Sequence, residues 1–136
     1  MGEAYFYGLA ERFHEPHERE KLRLMAQVER YAAEAVRPLL IKHGLTPRPD
    51  QELEEIGKSW IEKHQEFEWN SLISDIAERY IGYLDDFHAL EEIAPENDLP
   101  ALNILTDHEV VAIEFAKLEI AGNPDSTQPL KQYMSK

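Results

Sequence analysis

The stretch 18-EREKLRLMAQVERYAAEAVRPLLI-41 decides the fold class. Its apolar positions Leu22, Met25, Ala32, Val36 and Leu39 recur in steps that mark one face of a helix. Between Met25 and Ala32 the same face carries Glu29, a carboxylate aimed at what the pattern makes a dry core. A second stretch repeats the anomaly: Leu102, Leu105, Ala112 and Ala116 share a face whose missing member is Glu109. Each glutamate stands three residues before an alanine.

Outward from this helix, the flanking residues set its ends. Pro16, followed by Glu18, suits a helix N-terminus, and His43-Gly44 suits a C-terminus near Lys42. Pro38 removes a backbone donor inside the pattern and is expected to kink or shorten the last turn. Upstream, Gly2 to Phe13 forms three turns with Phe6, Ala10 and Phe13 on one face and Glu3 on that face one turn earlier. Downstream, Leu45 to Asp50 is a loop. Gln51 to about Glu66 is a helical stretch with a sparse apolar face (Leu53, Ile56, Trp60, then His64 or Phe67), read as part of a long crossover.

Two more long helices follow. One runs from Asn70 or Ser71 to about Glu92 on a seam of Ile73, Ile76, Tyr80, Tyr83, Phe87 and Leu90. The other runs from Leu99 or Pro100 to Ala121, closed by Gly122-Asn123-Pro124. The latter is apolar nearly all round, which places it at the centre or at an oligomer contact. Residues 124–136 read as a tail or a short docking turn after a domain of residues 1–123. No segment alternates with period two, so no sheet is expected.

Composition bounds the function. A chain of 136 residues, 43% hydrophobic, makes one domain able to bury roughly two-thirds of its unfolded surface. With 27 Asp and Glu against 14 Lys and Arg, its net charge of −13 disfavours nucleic acid and anionic membranes. There is no cysteine, so any metal must be held by His, Asp and Glu. No apolar run approaches the roughly 20 residues of a membrane span, and no secretory signal pattern opens the chain, so a cytoplasmic protein is expected. The apolar last helix makes a homodimer the expected assembly.

Short helix, tight turn, long helix, long crossover, then helix, tight turn, helix is the connectivity of an all-α, antiparallel four-helix bundle with one partly helical crossover. The halves also look alike. AYFYGLAERFH (4–14) matches ERYIGYLDDFH (78–88) at Gly8 and Gly82, and at Phe13-His14 and Phe87-His88. Glu29-x-x-Ala32-x-Glu34 likewise matches Glu109-x-x-Ala112-x-Glu114. Duplication and coincidence both remain open.

The run EAYFYGLAE (3–11), with Leu24-Met25-Ala26-Gln27-Val28-Glu29 as the approach to a Glu-x-x-His position, resembles the rubrerythrin-type bundles of the ferritin-like superfamily. The resemblance implies one glutamate and one Glu-x-x-His from each half-bundle around a pair of metal ions, usually iron, that activate oxygen or peroxide. It carries over to Glu3, Glu29 and Glu109. Ala32 and Ala112 stand where the two histidines belong, and Tyr80 or Glu78 where the third helix gives its glutamate.

Residue by residue, Glu29 and Glu109 have a second reading, as stripe-edge residues reaching water or pairing with Arg23, Arg30 or Lys117. His108 adjoins Glu109 but lies about 100° round the helix, the position of a surface or interface histidine rather than a ligand. His14 and His17 flank an acidic turn and read as solvated; Tyr5, Tyr7, Tyr80 and Tyr83 read as core aromatics. There is no phosphate-cradling glycine loop, nucleophile elbow or HExxH. Three functions remain. One is an oxidoreductase holding Fe or Mn through Glu3, Glu29 and Glu109, with Glu78 or His108. The others are a ferritin-like binding scaffold without the iron centre and a plain interaction bundle.

Overall fold

The computed structural model describes residues 2–46, 48–63 and 68–135 and is all-helical, with no strand among them. The helices are α1 (Gly2–Arg12), α2 (Pro16–Lys42), α3 (Asp50–Lys63), α4 (Trp69–Ile93), α5 (Leu99–Ile120) and α6 (Gln128–Met134). A single 3-10 turn, Glu96–Asp98, leads into α5. The periodic stretches thus became helices within a residue or two of their expected ends. The expected end of the crossover helix, at Glu66, lies outside the described residues.

Two C-termini close by the same device. Gly44 and Gly122 adopt φ of +72° and +73°, a conformation that favours glycine. This lets Leu45 N–H reach the Leu40 carbonyl and Asn123 N–H reach that of Leu118. Pro38 does not shorten α2, which continues to Lys42. Pro38 and Glu34 are both exposed, so the Glu34 carbonyl that loses its partner faces water.

α1 packs on α2, α4 on α5, and α2 on α5; α3 lies on α1, and α6 covers α5 and α2. The core they enclose is made by Phe6, Leu9, Leu22, Met25, Ile76 and Phe115, all fully buried. α5 is central, touching α2, α4 and α6, and this accounts for its apolar circumference within one copy of the chain. Tyr133 of α6 donates to the Ile104 carbonyl at 2.7 Å and meets Tyr31 edge-on, so residues after Gly122 dock on the helices. Of the four tyrosines read as core, Tyr5 and Tyr80 are buried, whereas Tyr7 and Tyr83 are exposed.

Ion pairs fix the ends of α2 against α5. Lys21 pairs with Glu119 at 2.7 Å, and Ser126 donates to the other oxygen of Glu119 at 2.7 Å. At the opposite end the buried Asp98 carboxylate accepts Lys42 at 2.6 Å and His43 at 2.7 Å. The Lys42 hydrogen bond, then that of His43, hold the Asp98 carboxyl below its ordinary value of 3.8. Its contribution to stability is therefore complete above that value and disappears as the pH falls through the lower folded one. In thermal melts from about pH 6 downwards, Asp98→Asn should lie below the parent by a constant margin that closes only beneath 3.8. A margin independent of pH across that range would mean that the ionised carboxylate is not what matters.

α3 docks by close approach at two glycines as well as by its buried Ile61 and by Trp60. A Cβ on Gly57 would stand 2.9 Å from the Ala4 Cβ and 3.0 Å from the Tyr5 backbone nitrogen. Gly8 receives the tip of Ile61 in the same way. Gly57→Leu should push α3 off α1 and lower stability by about 1–3 kcal/mol. The Trp60 fluorescence, which depends on its edge contact with Tyr5, reads the displacement directly. An unshifted Trp60 spectrum would sink this account of the contact.

Candidate metal centre

Because α2 packs on α5, the two anomalous glutamates come together. Glu29 projects from the middle of α2 and Glu109 from the middle of α5, and between them stands His108. His108 Nε2 lies 2.9 Å from Glu109 Oε1 and 3.4 Å from Glu29 Oε2. One ligand atom from each residue falls within 4.8 Å of the others. The expectation of a surface or interface histidine is corrected: His108 is 4% exposed and Glu109 5%.

The physical reason lies in where the rings and carboxylates reach. His108 and Glu109 diverge round the helix by about 100°, yet the space between those directions is a single buried polar niche closed by α2. The His108 Nδ1–H donates to the Leu105 carbonyl one turn earlier, which leaves Nε2 directed at the carboxylates. The tilted ring of Phe87 from α4, 5.9 Å away, packs against the imidazole.

The electrostatics are those of two carboxylates around one imidazole. Burial alone would lower the His108 pKa, but the hydrogen bonds and charges of Glu109 and Glu29 outweigh it and raise it to about 10. Burial raises the Glu109 carboxyl, helped by the charge of Glu29 and opposed by His108. Glu109 Oε2 is buried without a hydrogen-bond partner among the described residues. Tyr80 of α4 is buried, and its hydroxyl is held well above its usual range by burial, then by the charges of Glu29 and Glu109. Arg79 stands beyond it, 5.9 Å over the Tyr80 ring and paired with Asp75 at 3.1 Å.

The other expected ligands go elsewhere. Glu3 is half-exposed at the start of α1 and pairs with Arg30 at 3.4 Å, so it does not join the group. Glu78 is exposed on α4. Ala32 and Ala112 are buried and offer no donor. The imidazole thus enters from the residue before Glu109 and not from the position three after it. Only a neighbouring helix turns that position inward, so the helical period of α5 alone gave no sign of it. His14 and His17 are exposed, with His17 edge-on to Trp69.

The three donors fit a divalent ion of intermediate hardness once the Nε2 proton of His108 leaves: two carboxylate oxygens, one with a buried free lone pair, and an imidazole oriented by a backbone carbonyl. Comparison with protein-family models, with curated proteins and with solved structures finds no match to the chain. No helix among the described residues is long and apolar enough to cross a membrane.

Proposed function

We propose that this is a ferritin-like protein in which α1, α2, α4 and α5 form a four-helix bundle, α3 belongs to the crossover, and Glu29, His108 and Glu109 hold one iron or manganese ion. The observation that carries the reading is the convergence of three donors from two helices on one buried point, with Glu109 Oε2 left unpartnered there. An uncompensated buried acceptor costs about 1–3 kcal/mol, and a cation at that point relieves it.

An ion of this kind supplies redox chemistry toward oxygen or peroxide when bound. The chain's own groups have defined parts. Glu29 forms the outer ligand, since its carboxylate also lines the cleft between α1, α2 and α3, while His108 and Glu109 close the inner side. The Leu105 carbonyl fixes the imidazole so that Nε2 is the donor atom. His108 must give up its Nε2 proton to serve, so binding releases a proton and strengthens with pH. The Tyr80 hydroxyl, its pKa raised by burial and by the charges of the two glutamates, remains protonated.

The test is elemental analysis of untagged protein after dialysis, beside Glu29→Ala and Glu109→Ala. About one equivalent of iron or manganese is expected in the parent. Removing a direct ligand should weaken binding by about 100-fold or more, beyond the effect of losing an outer-shell partner. No metal in any of the three proteins would leave the scaffold reading, in which the proton on His108 fills the electrostatic place of the ion.

A further inference from the structure

Three of the chain's six glycines stand where a Cβ would meet a neighbour at less than 3 Å: Gly8 and Gly57, which seat α3 on α1, and Gly2. Only at Gly2 is that neighbour a charged group. A Cβ there would lie 2.6 Å from both Cδ and Oε2 of Glu29 and 3.0 Å from its Cγ. Gly2 needs no left-handed backbone, since the positive φ angles among the described residues belong to Gly44 and Gly122. It lies in a helix, where glycine is a poorer former than alanine, so local conformation gives no reason for it. The room that its missing side chain leaves to Glu29 does.

Glu29 Oε2 is also the atom that faces His108 Nε2 at 3.4 Å, while Nε2 stands 2.9 Å from Glu109 Oε1. Two donors about 2 Å from one small divalent ion, at tetrahedral or octahedral angles, are roughly 3–3.5 Å apart. Both spacings meet that requirement with little to spare. The contact between Glu29 and His108 is long for a hydrogen bond and does little to hold the carboxylate. Elsewhere Glu29 borders the first turn of α1 at Gly2 and the cleft between α1, α2 and α3, about 790 Å³ in volume. A methyl group on that turn would displace the flexible end of Glu29, rather than a backbone, by most of an ångström. His108 and Glu109, 4% and 5% exposed, fill the inner side, so the carboxylate would swing towards the cleft and away from Nε2.

We infer that Gly2 is a positioning residue of the metal centre: its bare Cα leaves the Glu29 carboxylate room against α1 and so keeps Oε2 at donor spacing from His108 Nε2. The inference rests on the metal reading proposed above. Its test is Mn²⁺ titrated into the full chain after stripping by a chelator, with the free ion followed by its electron paramagnetic resonance signal. Gly2→Ala should bind Mn²⁺ about 10- to 100-fold more weakly than the parent, the range for losing a group that orients a ligand. The urea midpoint of the metal-free variant should stay near the parent's. Alanine is the better helix former, and Glu109 still meets His108 at 2.9 Å.

Glu29→Asp shortens the side chain by one methylene and withdraws the carboxylate from position 2. It should itself weaken Mn²⁺ binding by about tenfold. In that background Gly2→Ala should cost less than about threefold further, the non-additivity expected of two residues in contact. An equal loss in both backgrounds would overturn the inference, because position 2 would then act other than through Glu29. So would Gly2→Ala binding as tightly as the parent or more so, or a loss of affinity matched by a fall in the urea midpoint. No uptake of Mn²⁺ or Fe²⁺ by the parent would overturn the metal reading itself, and the inference with it.

Discussion

Replacing Leu130 and Tyr133 together by alanine should lower stability by about 3–5 kcal/mol, hardly more than Tyr133→Ala alone. Both side chains are buried against α5 and α2, and Tyr133 also satisfies the Ile104 carbonyl. Singly, a buried leucine or aromatic residue truncated to alanine costs about 2–5 kcal/mol. The two losses do not add, because α6 has seven residues, too few to persist as a helix without packing. Once α6 undocks, its conformational entropy returns and caps the loss. Urea unfolding of the two single variants and the double variant checks this. A fully additive loss would show that α6 stays bound through other contacts, and a loss under about 1 kcal/mol would show that it covers nothing of consequence.

How far the fold was legible depended on length and period. α2, α4 and α5 each carry many turns of a repeating apolar face, and their ends bear proline or glycine, so their existence and limits could be read. α6 could not be separated from a tail, since two anchors in seven residues define no period. The docking of α3 was hidden for a different reason: its contact with α1 rests on Gly57, a residue that contributes no hydrophobic signal. Sparse apolar positions on α3 gave no hint that Ile61 joins the core, nor of the cleft that the helix walls.

Of the three residues in the candidate site, Glu29 and Glu109 were legible by themselves, and His108 entered only as an alternative to Glu78. Glu29 and Glu109 announced themselves because a charge on an apolar seam is anomalous wherever the partner helix lies. Glu3 shared that signal yet failed, since a residue in the first turn has solvent on one side and finds Arg30 there. Glu78 and Ala32 illustrate the weakness of carrying a spacing over from a resemblance: one is exposed and the other has no donor. His108 belongs to no seam of α5, and its inward course depends on the niche formed where α2 crosses.

Metal-free His108→Ala should be less stable than the parent by about 3–5 kcal/mol, the usual loss when one partner of a buried charged pair is removed. The change leaves the Glu29 and Glu109 carboxylates facing each other with no cation at Nε2 distance, and Glu109 is almost wholly buried. His108 is the group that opposes the upward push of burial on the Glu109 carboxyl, so without it that pKa rises further. A carboxyl whose folded pKa is raised loses stability as the pH rises through that value, because the folded state then binds more protons than the unfolded one. The deficit of His108→Ala should therefore be greater at about pH 6 than at about pH 4, both below the range from 6.5 to about 10 in which the parent loses its own His108 contribution. Adding Glu109→Gln removes one of the two charges, and the double variant should regain about 1 kcal/mol or more, a coupling expected of residues in direct contact. Urea denaturation of the parent, both singles and the double at the two pH values closes the cycle. A deficit below about 1 kcal/mol at both would mean that water reaches the two carboxylates, and a site open to water in that way could not hold the proposed ion through a buried Glu109.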